Sequence, residues 1–93
     1  MVVREFPFKE IKLAENKVIR VFDSEDTSQE ELIWHQDRED REVTVEKSKD
    51  WHLQLENEIP VKLEKGQTYF IPAYTWHRLL IGKKKLVVEI VKK

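Results

Sequence analysis

The run Gly66-Gln67-Thr68-Tyr69-Phe70-Ile71-Pro72-Ala73-Tyr74-Thr75-Trp76-His77 carries the strongest structural signal in the chain. Gly66 is a turn residue, and the β-branched and aromatic residues from Thr68 to Ile71 are typical of a strand. Pro72 ends that strand, because proline has no N–H to donate to a sheet. His77 follows five residues later at the start of the next predicted strand. Its imidazole is therefore expected at the mouth of a β-structure.

Short strand-like segments continue on both sides of this run. Several alternate apolar and polar residues, which is the period of a half-buried antiparallel strand. The predicted strands are Lys17 to Phe22, Glu31 to Gln36, Glu42 to Glu46, Trp51 to Glu56, Ile59 to Leu63, Thr68 to Ile71, Trp76 to Ile81 and Leu86 to Val91. This spacing predicts an all-β sandwich or barrel. The helical signal at Thr27 to Glu31 is a capping pattern that no amphipathic helix follows.

The composition is that of a small domain with balanced charge and no cysteine. The chain has 93 residues, of which 17 are basic and 18 acidic, and its formal net charge is −1. That balance argues against nucleic-acid binding, which needs a basic excess on one face. Disulfides and thiolate metal sites are excluded, and no apolar run is long enough to span a membrane. We expect one domain over residues 1–93, with an N-terminal strand segment at 1–23, in a cytoplasmic protein.

The opening run resembles the second sequence motif of the cupins, G-(x)5-P-x-G-(x)2-H-(x)3-N. Gly66, Pro72 and His77 match this motif at the right spacing. Tyr74 stands where the second Gly is usual, and Ile81 stands where the Asn is usual. The match places His77 at the position of a metal-binding histidine in that family.

The first cupin motif, G-(x)5-H-x-H-(x)3-4-E-(x)6-G, is matched more loosely. His35 matches its first His, Asp37 stands at the second His, and Gln29 stands at the leading Gly. The resemblance covers about residues 30–81. It implies a double-stranded β-helix (jelly-roll) barrel, often dimeric, with a divalent metal in a pocket at one end.

Three side chains are the candidate metal ligands of this chain. His35 and Asp37 are two residues apart, so they share a strand face. With His77 they form a set of two histidines and one carboxylate, which suits a divalent ion such as Fe, Mn, Ni or Zn. The alternative is that His35 and Asp37 form a buried hydrogen-bonded pair and that His77 bonds only to backbone.

The position of the usual cupin Glu ligand falls on either Arg41 or Glu42. Parity with the apolar Val43 and Val45 favours Arg41 as the inward residue, although the motif spacing allows both. An inward guanidinium would repel a metal ion. The same group could bind a carboxylate or phosphate through two parallel hydrogen bonds.

Two functions follow from these residues. The first is a cupin that binds a divalent metal and a small, anionic ligand, with Arg41, Gln54 and Tyr69 as ligand contacts. The second is a metal-free cupin that serves as a non-enzymatic ligand-binding or interaction module. We also expect a homodimer, because so small a domain has a thin core and because Phe6, Phe8 and the outward Trp residues could cover a neighbouring sheet.

Overall fold

The computed structural model describes residues 7–93, which form two antiparallel sheets and one short 3₁₀ helix, Gln29–Glu31. The strands are β1 (Lys9–Ala14), β2 (Lys17–Asp23), β3 (Arg41–Lys47), β4 (His52–Leu55), β5 (Val61–Lys62), β6 (Thr68–Ile71), β7 (His77–Leu80) and β8 (Lys85–Lys92). The larger sheet has the order β1-β2-β8-β3-β6, and the smaller has the order β5-β4-β7. Within residues 7–93, no helix is both long and apolar enough to span a bilayer.

The core lies between the two sheets and is built by strand alternation. In β3, Val43 and Val45 are buried, and the register places them opposite Ile90 and Val88 of β8. Trp51, just before β4, is fully buried and donates its indole N–H to the Lys83 carbonyl at 3.1 Å. Because successive side chains of a strand point to opposite faces, this alternation also decides which side chains can reach the space between the sheets.

One predicted strand, Glu31 to Gln36, is wrong. The 3₁₀ helix ends at Glu31, and in the rest of the segment only His35 makes a β-bridge, to His77. The Ser28 N–H donates to the Glu31 carboxylate at 3.2 Å, so the capping pattern in the sequence begins this helix. The local hydrogen bonds at the helix start therefore prevail over the weak strand pattern.

The N-terminal part of the chain also differs from the list of predicted strands. β1 lies within the N-terminal strand segment expected at 1–23 but is not one of the strands predicted individually. All six of its residues are exposed, so the sequence shows no alternation of buried and exposed positions there. Residues 1–6, including Phe6, lie outside the described part of the chain. Phe8 packs against Phe22 of its own chain, with ring centroids 5.3 Å apart.

The outer edge of β7 is covered by the side chain of Gln29. The Gln29 amide donates to the Leu79 carbonyl at 2.9 Å and accepts from the Ile81 N–H at 2.7 Å. Together with the His35 bridge, these bonds pair backbone groups of His77, Leu79 and Ile81 on the side that faces away from β4. The 3₁₀ helix is thereby fastened across the edge of the smaller sheet.

A candidate metal centre beside an apolar cavity

His35, Asp37 and His77 come together although two of them lie outside regular strands. One potential ligand atom from each side chain lies within 4.8 Å of the other two. The two imidazole centroids are 4.2 Å apart. The three candidate ligands from the sequence thus form one cluster that could hold a metal ion.

Backbone hydrogen bonds hold this cluster together. His35 and His77 exchange both N–H to carbonyl bonds, at 3.0 and 2.8 Å, as a hydrogen-bonded antiparallel pair does. The Tyr74 N–H donates to the Asp37 carbonyl at 2.7 Å, and the Ala73 N–H donates to the Asp40 carboxylate at 2.7 Å. Neighbouring backbone groups therefore position the cluster independently of any bound ion.

Both histidines present Nε2 as the atom available for a ligand. Nδ1 of His35 lies 3.0 Å from the Ile33 carbonyl, and Nδ1 of His77 lies 2.8 Å from the Thr75 carbonyl. Because a carbonyl only accepts, each Nδ1 carries the proton, and Nε2 of the neutral ring has a lone pair. This is the tautomer that a metal ligand requires.

Burial lowers the pKa of His77 below the ordinary value of 6.5. The hydrogen bond to the Thr75 carbonyl and the charge of Asp37 act in the opposite direction, whereas His35 and Arg41 lower the pKa further. At neutral pH the His77 ring is therefore uncharged. A neutral imidazole is the form that binds a metal.

The Asp37 carboxylate has one engaged oxygen and one orphaned oxygen. Oδ1 lies 3.3 Å from Nη2 of Arg41. Oδ2 lies 3.3 Å from Nε2 of His77, yet it is buried and has no hydrogen-bond partner. With the His77 proton on Nδ1, two lone-pair atoms face each other, an arrangement that is unfavourable without a cation between them. The residues present therefore fit a divalent ion.

Of Arg41 and Glu42, the two candidates for the position of the usual cupin Glu ligand, Arg41 is the one that points inward. Its side chain is 11% exposed, and Nε and Nη2 donate to the Glu39 carboxylate at 3.1 and 2.9 Å. Glu42 instead pairs with Lys93 at 3.0 Å on the outer face. The two carboxylates beside Arg41, from Asp37 and Glu39, offset the repulsion that its charge would exert on a cation.

A cavity of about 500 Å³ adjoins the cluster. His35, Asp37 and Arg41 line it, together with Arg20, Glu31, Pro7 and twelve apolar side chains: Phe8, Phe22, Leu32, Ile33, Val43, Leu53, Leu63, Ile71, Leu79, Leu86, Val88 and Ile90. The buried His77 does not line the cavity but contacts Asp37, which does. Arg20 was not singled out in the sequence, although its parity with Val18 and Phe22 on β2 is the signal that could have placed it.

The other two proposed ligand contacts lie away from the cavity. The Gln54 amide donates to the Glu58 carbonyl and accepts from Arg78, and the Tyr69 hydroxyl bridges the Glu64 N–H and the Lys62 carbonyl. Neither residue is among those that line the cavity. Their contact with a ligand stays a prediction.

Comparison with solved structures shows the fold class. An RmlC-like cupin with a double-stranded β-helix fold, from Methanocaldococcus jannaschii, aligns with a TM-score of 0.68 and 17% identity, covering 99% of this chain and 85% of that one. A cupin-2 domain containing protein from Shewanella frigidimarina aligns at 0.62 and 14%, covering 97% and 82%. Fe(II) HppE in complex with substrate aligns at 0.66 and 15%, covering 99% of this chain and 57% of HppE.

These likenesses confirm the double-stranded β-helix fold of the cupins that was expected from the sequence. No family model and no curated protein matches the chain. At these identities the comparison establishes the fold, and function has to be argued from the site.

Proposed function

We propose that this cupin-fold chain binds a divalent metal ion through His35, Asp37 and His77 and holds a small ligand in the adjoining cavity. The observation that carries the proposal is the orphaned Asp37 Oδ2, 3.3 Å from a histidine nitrogen whose proton is on the other side of the ring. The likeness of the fold to that of Fe(II) HppE agrees with this role.

A bound metal would supply Lewis acidity or, if it is redox-active, electron-transfer chemistry. The two imidazoles and the carboxylate are a donor set that suits Fe, Mn, Ni or Zn. Three protein ligands leave coordination positions for water or for a ligand head group. Arg41 lines the same cavity, and its Nη1 would meet an anionic ligand while Nε and Nη2 remain on Glu39 and Asp37.

Metal content measured by elemental analysis tests this proposal. Protein purified without chelators, or treated with chelator and then supplied with each of the four ions in turn, is expected to hold one ion per chain. Asp37→Asn and His35→Asn should reduce the affinity at least tenfold. The matched control is His52→Asn, because His52 lies on β4 with its Nδ1 on the Asp50 carbonyl and outside the cluster. Failure to take up any of the four ions would refute the metal site.

A second function, a metal-free module that binds an anion, is favoured by one observation. Arg41 already places a positive charge 3.3 Å from Asp37, where a fully metal-dedicated cupin site would carry a Glu. Thermal-shift measurements in EDTA with small carboxylates and sugar phosphates test this alternative. A response that Arg41→Ala removes would support it, and a protein that responds only when metal is present would exclude it.

A further inference from the structure

We propose that the ligand of this cavity is a largely apolar molecule with a single anionic or metal-binding head group, of the kind represented by medium-chain carboxylic acids. The apolar cavity wall, described below, argues against polyhydroxylated ligands such as sugar acids. This inference rests on the proposed function, because the head group would lie at the metal centre described above. It adds the chemical class of the ligand, which the donor set alone does not give.

The cavity wall offers almost nothing to a hydroxyl group. Eight of the twelve apolar side chains named above come from strands of both sheets; of the other four, Phe8 precedes β1, Leu32 and Ile33 follow the 3₁₀ helix, and Leu63 follows β5. None of the twelve has a hydrogen-bonding side-chain atom. Each sugar hydroxyl placed against this wall would lose its water without gaining a partner, which is unfavourable. A hydrocarbon in the same position gains from leaving water.

The charged lining residues outside the metal cluster are already engaged. Arg20 donates from Nε to the Glu10 carboxylate at 2.7 Å, and its guanidinium carbon lies 4.3 Å from the centroid of the Phe8 ring. The Glu31 carboxylate accepts from the Ser28 N–H at 3.2 Å. We place the ligand head group at the end of the cavity that His35, Asp37 and Arg41 line, because there a guanidinium adjoins the candidate metal ligands.

The strand register gives the cavity a polar end and an apolar length. Arg41 begins β3, and the next inward residue, Val43, lies opposite Ile90 of β8. From Ile90 the cavity wall continues along β8 to Val88, whereas Leu86 has no exposed surface. Because Arg41 pairs with Lys92, Val88 lies four residues, about 13 Å, along β8 from the head group. A head group at Arg41 would thus have an apolar surface of that length beside its tail, in a cavity whose volume is typical of small-molecule sites.

Calorimetric titration with a chain-length series tests the ligand class directly. The probes are acetate, butanoate, hexanoate and octanoate, compared with gluconate and glucuronate, each titrated into metal-loaded and into EDTA-treated protein. We expect the affinity to rise about two- to fourfold for each added methylene. The two sugar acids should bind no more tightly than acetate.

Two surface variants distinguish octanoate binding in the cavity from nonspecific binding to exposed apolar side chains. Ile33 lines the cavity although it is 65% exposed, whereas Ile59 is 82% exposed and lies away from the cavity. Both positions tolerate a charge because neither side chain is in the core. Ile33→Asp should weaken octanoate binding at least fivefold and acetate binding less, because only octanoate also loses an apolar contact, and Ile59→Asp should change neither.

An affinity that does not rise with chain length overturns the inference, as does a sugar acid that binds more tightly than octanoate or an Ile33→Asp protein that binds octanoate normally. Metal content measured on the same samples keeps the two proposals apart. Protein that takes up no metal but still prefers longer chains would refute the metal centre and support the ligand class. Protein that takes up metal but binds acetate and octanoate with equal affinity would support the metal centre and refute the ligand class.

Discussion

The backbone N–H of Tyr74 donates a 2.7 Å hydrogen bond to the carbonyl of Asp37 while Tyr74 itself has a φ of +60°. This is the left-handed region that glycine adopts freely and other residues avoid. The cupin motif has glycine at this position, whereas this chain adopts the left-handed conformation with a tyrosine. The hydrogen bond that holds a candidate metal ligand is therefore made from a strained turn.

Replacing Tyr74 with glycine should relieve that strain. The side chain is 63% exposed, so little packing is lost, and we expect the free energy of unfolding to rise by up to about 1 kcal/mol. Urea denaturation measures the change. Tyr74→Ala is the control, since alanine keeps the Cβ that causes the strain and should give no gain. A Tyr74→Gly protein less stable than wild type would contradict this account.

Gly82 is required for a different reason, the close approach of two backbone segments. A Cβ at this position would collide with the backbone of Lys49 and Trp51. We expect Gly82→Ala to lower the free energy of unfolding by about 1–3 kcal/mol or more. At Gly66 the space is open but φ is +87°, so Gly66→Ala should cost only about 1 kcal/mol. Equal losses at the two positions would show that backbone crowding is not the cause.

Metal binding should also be visible as stabilisation of the fold. An ion that binds the folded chain alone, at a free concentration one hundred times its dissociation constant, raises the free energy of unfolding by about 2.7 kcal/mol. Thermal denaturation of wild type with and without metal measures this rise. His35→Asn should lose most of the effect, because an exposed ligand is removed without disturbing the core. An equal rise in that variant would place the ion elsewhere.

The metal-free protein should become less stable as the pH falls. Burial lowers the pKa of His77 in the folded state, so below the unfolded value of 6.5 the unfolded chain binds the proton first. Stability from this group is complete above pH 6.5 and is lost as the pH decreases toward the folded-state pKa. Denaturation in EDTA between pH 7.5 and 5 measures the slope. His77→Gln should reduce this slope, and His52→Gln should retain it.

The expected homodimer stays a prediction, and the larger sheet offers a surface for it. Ile11 of β1 is 58% exposed and pairs with Ile19 of β2. Because Val18 faces the core, Ile19 and Ile11 face outward. Multi-angle light scattering should give the mass of two chains, which Ile11→Lys converts to one and Ile59→Lys does not. A monomeric wild type at micromolar concentration would contradict the proposal.

Local signals in the sequence were enough for the turn, the strand end and the position of His77. Gly66 and Pro72 act on the backbone nearest to them, and alternation within one strand sufficed to place Arg41 inward. The prediction of a strand from Glu31 to Gln36 was wrong, because helix capping at Ser28 outweighed a weak alternating pattern. The strand Lys9–Ala14 was expected only within the N-terminal strand segment at 1–23 and not by its own bounds, because none of its side chains is buried. Long-range packing decides such cases.

The apolar wall of the cavity could not be predicted in the same way. In the sequence, each of its side chains has the pattern of an ordinary core residue. Only the pairing of β2, β8 and β3 in the structure shows which of these side chains line a cavity. Gln54 and Tyr69 illustrate the converse. Parity with Ile71 placed Tyr69 inward, and the parity of Gln54 placed it on the outer face unless the barrel curled. In the structure both side chains hydrogen-bond to neighbouring backbone, and neither is among the residues that line the cavity.

The Gln29 amide that spans Leu79 and Ile81 has a consequence for how the molecule behaves in a crowded solution. A strand with unpaired N–H and carbonyl groups along one side can recruit a strand from another molecule and start aggregation. Here a single side chain supplies one donor and one acceptor in the places where a foreign backbone would dock. The β7 edge of the smaller sheet is thereby protected against intermolecular strand addition.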